Sequence, residues 1–559
     1  MREIECRDKP GAGSIIVESL RFSSIPGQSE LFLDYLSDPT ALRSFYPSAV
    51  VQNNEIAGRT SNVLNAYSTD RQVLCDVLSD QNRAFGASEK TFTNIETLRR
   101  SDAVAVLTGQ QAGLFLGPLY TLYKALSAVR QADCLRAAGI NAVPVFWIAS
   151  EDHDIAEVST ASFTGTSGEI RTVLEDGDTE IAGLPVGRIK LTDAVTKAIG
   201  PIFEVIGKTE FTAELRMCLE EAYKPGRTFS EAFGRFLAQL TADYGLILVD
   251  PLEPRLKRLA ARIYEEAILR SAEIVDSIIE RDRELEAKGY SPQVLVKDDY
   301  FPLFWHDGLG VRKSLRRRSD GRVGVVGDTT SFEIGELAAM AAAEPDRFSP
   351  GVMLRPVVQD HLFPTVCYFG GGAEIAYFAQ NSEVYRVLDR PVTTIFHRQS
   401  FTVIEPRYRR TLDAYRLTFS DLFRGRDAVR AEVVEKFLAL ENAMLFPAAE
   451  ERINTELNQL DQHLSSLDPT LAANLATRRR KIIYHIGALK KKFHAVSMKK
   501  NEIADRRIDA LFTSLLPNGA LQERTLNVVE YIDRYGPGFV DWIYDSIDLN
   551  DKGHRTLTL

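Results

Sequence analysis

The sequence predicts an α/β core built on a parallel sheet, interrupted by two inserted subdomains and followed by a C-terminal antiparallel α-helical coiled coil. Three observations predict it. Residues 103–154 read as an apolar run, a glycine-rich turn, a helical stretch, a second apolar run and a cluster of acids with one histidine. Further apolar runs at Gly245–Val249, Pro364–Phe369 and Val392–Phe396 alternate with helical stretches, as in sheets built from β-α-β units. Beyond residue 411 the chain is almost all helix, with leucines in coiled-coil spacing.

Each element follows from local pattern. Residues 15–100 read as mainly helical after a short lead-in, with segments starting at Leu31 and Val63. Ala103–Leu107 is continuously apolar, which predicts a strand buried on both faces. The next helix is expected to start near Gly117-Pro118, proline suiting a first turn, with Leu119, Leu122, Tyr123, Leu126 and Val129 as its apolar stripe. Ala142–Ile148 is the second strand. Residues 160–192 read as short strands and turns punctuated by Gly165, Gly168, Asp178 and Gly187, and 193–243 as helices. Gly245–Val249 is expected to join the same sheet, with one long helix, Glu253–Lys288, after it.

Residues 292–327 read as a β-insertion with runs V-L-V, F-P-L-F-W and V-G-V-V. Arg312–Arg318 (R-K-S-L-R-R-R) reads as exposed hairpin or loop, either a solvated face or a phosphate contact. In 351–405 we expect a strand end at Met353-Leu354, a short helix, a strand, a triple-glycine turn, a helix from Ala373 and a last strand ending in H-R-Q-S. The segments are therefore core with N-terminal helices (1–160), a first connecting insertion (161–243), core (244–291), a small β-insertion (292–330), the second part of the core (331–410), the helical coiled-coil domain (411–516) and a C-terminal segment (517–559). That last segment is too aromatic for a free tail and is expected to pack back on the body.

In the helical domain Ile453, Leu457, Leu460, Leu464 and Leu467 follow a/d spacing, and Asp468-Pro469 breaks the helix. The partner repeat is Leu475, Ile482, Leu489, Val496 and Ile503, with Ile486 and Phe493 between. Ala431–Asp468 carries eight acids against two Lys/Arg, and Leu471–Phe512 eleven Lys/Arg against three acids. Opposite charge on the two arms predicts an antiparallel hairpin; the basic runs Arg478–Lys481 and Lys490–Lys492 serve either that pairing or nucleotide or nucleic-acid contact.

The net charge of −10 argues against nonspecific nucleic-acid binding. No apolar run approaches the roughly 18 residues that span a bilayer, and Met1–Ser14 lacks a signal-peptide apolar region. Cys6, Cys75, Cys134, Cys218 and Cys367 are scattered and never in C-x-x-C, which fits reduced thiols in a cytoplasm and no cysteine-rich zinc site. A zinc site from Asp152, His153, His361 and Cys367 is not demanded by any spacing, and no metal site is predicted.

Polar strand ends carry the chemistry. Thr108, Gly109, Gln110, Gln111, Gly113 and Gly117 form a turn suited to an anion, with glycines for close backbone approach and the helix N-terminus behind. Lys124 can reach back to it or snorkel. The turn matches neither G-x-x-x-x-G-K-[ST] nor G-x-G-x-x-G. Glu151, Asp152, His153 and Asp154 follow the second strand; alternation would send Asp152 and Asp154 one way, Glu151 and His153 the other. The histidine is a candidate base, the acids candidate holders of Mg2+ or an ammonium, and helix capping is the plain alternative. Arg355, Gln359, Asp360, Gly371, Glu374, Tyr377, Arg398 and Ser400 are candidate substrate-binding residues on later strand ends.

T-G-Q-Q-A-G-L-F-L-G-P-L-Y-T-L-Y-K-A, W-I-A-S-E-D-H-D, R-P-V-V-Q-D-H-L-F-P-T, G-G-G-A-E-I-A-Y and L-P-N-G-x-L-Q-E-R-x-L-N together resemble the cysteine-adding enzyme family of bacillithiol biosynthesis, over nearly the full length. The resemblance implies a Rossmann-like core similar to class I aminoacyl-tRNA synthetases and related nucleotidyltransferases. It also implies two connecting insertions and a coiled coil that makes a homodimer. It implies addition of cysteine to malyl-glucosamine, and hence ATP with Mg2+, since a free carboxylate needs a better leaving group than hydroxide, as an acyl-adenylate or acyl phosphate. On this reading the glutamine–glycine turn holds phosphate oxygens, His153 or an adjacent acid deprotonates the amine, and Arg355 or Arg398 takes a carboxylate. No nucleic acid or membrane partner is expected. Two departures stand out: Gly370-Gly371-Gly372-Ala373-Glu374 where the family has G-G-P-G-E, and His397-Arg398-Gln399-Ser400 where it has P-R-A-S.

Overall fold

The computed structural model describes residues 2–4, 15–165, 170–174 and 183–559; Cys6, Gly168 and Asp178 lie outside them. The chain forms two compact units, one containing Ile170–Thr402 and Glu523–Leu557 with the N-terminal part, the other mainly Val403–Gln522.

The first unit is organised on five strands: β1 (Val104–Gln110), β2 (Ala142–Ile148), β3 (Ile247–Val249), then, after the insertion strands described below, β9 (Thr365–Gly370) and β10 (Thr394–His397). All are parallel, in the order β10-β9-β1-β2-β3. This is the doubly wound order, and its direction reverses between β1 and β9, so the crevice at their carboxyl ends is the expected ligand position. β1 and β2 are apolar throughout because helices cover both faces. Helix α1 (Tyr120–Ala137) crosses from β1 to β2 and is buried on nearly every side, including Lys124, Ser127 and Gln131. Gly109 is required in β1, since a Cβ there would stand 2.7 Å from the Trp147 carbonyl oxygen of β2.

Between β3 and β9 lies an antiparallel sheet of β4 (Leu303–His306), β5 (Arg312–Arg317), β6 (Val323–Val325), β7 (Ser331–Phe332) and β8 (Phe348–Pro350), ordered β7-β6-β5-β4-β8. Its composition corrects three expectations. Arg312–Arg317 is a central strand rather than exposed loop material, with Leu315 buried. The V-L-V run is no strand, because the Gln380 side chain takes its backbone groups: Gln380 Oε1 accepts from Val294 N–H and Gln380 Nε2 donates to Val294 O. Met353-Leu354 is a turn, and the strand before it is β8.

The helix expected over 253–288 is two helices, α3 (Pro254–Leu269) and α4 (Ser271–Ala287), broken at Arg270 because they pack on different partners: α3 on Ile334–Ala343, α4 on α6 (Gly372–Val387). Helix α5 (Arg355–Leu362) leads into β9. Helix α1 starts at Tyr120, not at Pro118, because Pro118 pairs with Asn527 and Leu119 N–H donates to Leu526 O. The C-terminal segment of the unit packs on it, with Tyr244 Oη donating to Asp541 (2.6 Å) and Tyr544 bonded to Asp133.

In the second unit α7 (Leu445–Leu467) and α8 (Pro469–Lys500) form a hairpin, with Asp468 capping α8 through Thr470 N–H. Phe446 meets Phe493 across it (5.2 Å), and Arg479 donates to Asn454 and Asn458 instead of to acids. Ile453, Leu457, Leu464, Leu475, Ile486 and Phe493 are half-buried. Ile482, Leu489 and Val496 of α8 are exposed, as is Ile503 in the following helix, Glu502–Leu515; beyond Leu475 the seven-residue repeat expected to close the hairpin turns outward. Among the described residues no helix is long and apolar enough to cross a membrane.

Candidate active site

The turn after β1 is bound to itself. Gly113, Leu116 and Gly117 N–H donate to Gln111, Gly113 and Leu114 carbonyls, and Leu116 N–H also donates to Tyr223 Oη (3.0 Å). These amides therefore face inward, contrary to the expectation that the glycine turn presents its backbone to an anion. Phe115 (φ 52°) and Leu116 (φ 75°) are held in the left-handed region, which costs roughly 1–2 kcal/mol each. Phe115 is braced by its ring contact with Tyr223 (4.8 Å). Asn527 clamps the turn from outside, its Nδ2 donating to Gly117 O (2.8 Å) and Leu114 O (3.3 Å).

Lys124 reaches back instead of snorkelling. Its Nζ donates to Gly109 O (2.9 Å) and Gln110 Oε1 (3.0 Å) and pairs with Glu374 Oε2 (2.5 Å). Glu374 begins α6 and also accepts from Gly371 N–H (2.7 Å) and Tyr368 Oη (2.8 Å). Burial works against its charge, but Lys124 and these donors hold its carboxyl below the usual range. The pair spans the switch point, reinforced by Thr108 Oγ1 donating to Phe369 O (2.8 Å). Beside it Arg355 Nη2 donates to Tyr377 Oη (2.9 Å).

The four residues after β2 do not alternate, because the strand ends at Ile148. Glu151 turns inside to Lys257, which also donates to Phe348 O (2.8 Å). Asp154 caps the short helix Ile155–Val158 by accepting from Glu157 N–H. Asp152 and His153 remain in the cleft. Asp152 Oδ2 accepts from Gln111 Nε2 (2.9 Å), and Arg312 Nη1 approaches both Asp152 Oδ1 (3.4 Å) and His153 Nδ1 (3.1 Å). Burial would raise the Asp152 carboxyl, but Arg312, His153 and Gln111 together hold it below the usual carboxylate range. The Arg312 guanidinium lies over the Phe304 ring (3.6 Å) and donates to Ser349 Oγ and Pro350 O.

The crevice thus brings together Thr108, Gly109, Gln110, Gln111, Lys124, Asp152, His153, Arg355, Gly371, Glu374 and Tyr377. Four of the expected substrate-binding residues lie elsewhere. Arg398 is buried in a two-bond pair with Glu523 (2.7 and 3.0 Å), whose carboxylate also accepts from Ser400 Oγ (2.8 Å) and Phe401 N–H (3.0 Å); a substrate carboxylate finds its place taken. Asp360 bonds Tyr385 and Thr393. It sits near the start of β9, a strand's length from Gly370, because α5 runs antiparallel to the strand that follows it. Gln359 is buried on the same helix. His361 Nε2 donates to Leu259 O (3.0 Å), away from Asp152, and among the described residues no three His, Cys, Asp or Glu converge as metal ligands.

Sequence reasoning missed Arg312, hidden in a basic run that reads as a solvated face, and Lys257, which carries no motif. Glu523 and Asn527 lie in L-Q-E-R-x-L-N; the motif was visible, but its target was not.

Two family models match the chain: "Bacillithiol biosynthesis BshC, N-terminal Rossmann-like domain" over residues 16–399, and "Bacillithiol biosynthesis BshC, C-terminal coiled-coil domain" over 401–559. Similar proteins include those named "Putative cysteine ligase BshC" from Koribacter versatilis (35% identical, covering 95% of this chain and 98% of the relative) and from Salinibacter ruber (32%, 94% and 96%). Another with that name, from Symbiobacterium thermophilum, is 33% identical over 88% of this chain and 91% of its own. Matched from end to end over both the Rossmann-like core and the coiled coil, the chain belongs to the BshC family of bacillithiol biosynthesis.

Proposed function

We propose that the protein is a cysteine ligase that joins the cysteine carboxylate to the amine of malyl-glucosamine in an ATP-dependent reaction. The observation that carries this reading is the convergence of Gln111, Asp152, His153, Arg312 and Arg355 at the carboxyl ends of β1, β2 and β9. The cations fit a polyanion: Arg355 lies near enough to lower the proton affinity of Arg312, and an anion between them relieves that repulsion. ATP with Mg2+ would supply a leaving group on the cysteine carboxylate.

The chain's own groups do the rest. Gln111 and Arg312 orient Asp152 as an ionised acceptor facing the cleft. With Nδ1 accepting from Arg312, His153 is the Nε2–H tautomer, a donor toward the cleft. An anion that draws the Arg312 fork away leaves Nδ1 able to accept the proton of the attacking amine, which ties base function to substrate binding. Lys124 and Glu374, both engaged, keep the two turns in register. Arg398 and Ser400 act as structure and not as substrate grips.

The outward row Ile482, Leu489 and Val496 on α8 supports a homodimer through the coiled coil, since such a row is stable only when covered. The reading places the reaction in the cytoplasm, where Cys75, Cys134, Cys218 and Cys367, all free, stay reduced.

The test incubates the protein with ATP, cysteine and malyl-glucosamine. Mass spectrometry is expected to show bacillithiol, and nucleotide analysis to show AMP or ADP in equal amount. No product from well-folded protein overturns the reading.

A further inference from the structure

A cavity of about 290 Å³ adjoins Gln110 and Gln111. Its walls are the β1 turn with the start of α1, the segment Glu157–Ser162, and Arg524-Thr525. The volume is at the small end for ligand pockets, roughly 300–1,000 Å³. It suits one small metabolite, and a nucleotide is too large for it.

Its lining is chemically asymmetric. Glu157 is exposed at the rim and shares Gln111 with Asp152; partial desolvation and the nearby Asp152 and Asp154 charges raise its carboxyl, so a cation beside it is favoured. Arg524 is exposed and, among the described residues, has no hydrogen-bond or ion-pair partner, whereas its neighbour Glu523 is fully engaged with Arg398. Two buried atoms of lining residues, Gln111 Oε1 and Thr121 Oγ1, have no partner within the protein. Buried polar groups are nearly always satisfied, so unpaired acceptors beside a carboxylate call for a donor from outside. Arg524 supplies a fork matched to a carboxylate. A cavity of this size with an acid and acceptors on one wall and a guanidinium on another fits a zwitterion.

We propose that this cavity is the α-amino-acid subsite, with Arg524 taking the carboxylate and Glu157, Gln111 Oε1 and Thr121 Oγ1 taking the ammonium. The assignment rests on the ligase reading for the identity of the amino acid, cysteine, but not for the charge pattern.

Calorimetric titration of the full-length protein tests it, with reduced cysteine, cysteamine (no carboxylate), 3-mercaptopropionate (no ammonium) and malate as probes. Cysteine is expected to bind at least about tenfold more tightly than either truncated analogue. Arg524→Ala should abolish the preference over cysteamine, Glu157→Gln the preference over 3-mercaptopropionate, and Arg524→Lys should restore part of the first. Unfolding temperatures identify any variant that has lost its fold; for such a variant the analogue comparison on the native protein decides. Equal binding of cysteine and cysteamine, or unchanged cysteine binding in both folded variants, overturns the assignment. So does malate displacing cysteine with Arg524 dependence alone, which marks a dicarboxylate site. Failure is separable from that of the ligase reading: product with an unchanged KM for cysteine in both variants sinks only the subsite. Cysteine binding with the expected variant pattern but no product sinks only the ligase.

Discussion

Two sets of charges stand over the ends of the same sheet and differ in access to water. The Lys124 and Glu374 side chains are 4% and 16% exposed, and every acceptor and donor around them is spoken for. The Asp152 and His153 side chains are 38% and 42% exposed and share one partner, Arg312. A buried pair with satisfied geometry holds two chain segments together but has nothing left to offer a substrate, while a half-open pair gains little stability and keeps its chemistry available. The same division separates Arg398, sealed by Glu523, from Arg524 one residue further on.

The largest effect is expected from unpairing the closed set. Lys124→Ala leaves Glu374 buried without a counter-charge and should cost about 3–5 kcal/mol, read by denaturant unfolding; a loss below about 1 kcal/mol would mean the pair is not structural. Opening the comparison from the other side, His153→Ala should lower turnover about 10²-fold while stability changes by less than about 0.5 kcal/mol. An equal loss of stability would make His153 part of the scaffold, and a normal rate would remove it as the base.

Asp360 sharpens the contrast, being closed in but without a cation. Burial pushes its carboxyl up to about 7. The folded protein therefore keeps a proton that the unfolded chain releases near pH 4. That contribution is present in full below about pH 4 and is lost as pH rises through about 7. Asp360→Asn should flatten this part of the stability profile and gain about 1–3 kcal/mol at pH 8. Thermal melts between pH 5 and 8 that stay parallel for the two proteins would refute a neutral Asp360. The smallest effect on stability is expected at the coiled coil. Leu489→Glu should alter unfolding by less than about 0.5 kcal/mol, yet shift the mass in light scattering from dimer to monomer; an unchanged mass excludes that row as the interface.

Much of the core was legible because it is local. Continuous apolar runs marked β1 and β2, glycines marked both turns, and the polar residues just past the strands supplied Gln111, Asp152, Arg355 and Glu374. What misled was the assumption that a residue near a strand end faces the crevice. Asp154 is consumed by a cap, Glu151 by Lys257 and Arg398 by Glu523, and no local pattern reports such partners. Arg312 failed in the opposite direction, since a basic run looks solvated until a sheet forms around it.

The sequence by itself determined the strands, the glycine turns, the helical hairpin and the family, because each depends on neighbours within a turn or two of chain. Only the tertiary structure decided the strand order that puts the switch point between β1 and β9. It also decided which face of the Leu475–Ile503 row meets solvent, and which charges are sealed. Those outcomes depend on desolvation, and a charge is kept accessible or closed away by partners as distant in the chain as Lys124 and Glu374, or Arg398 and Glu523.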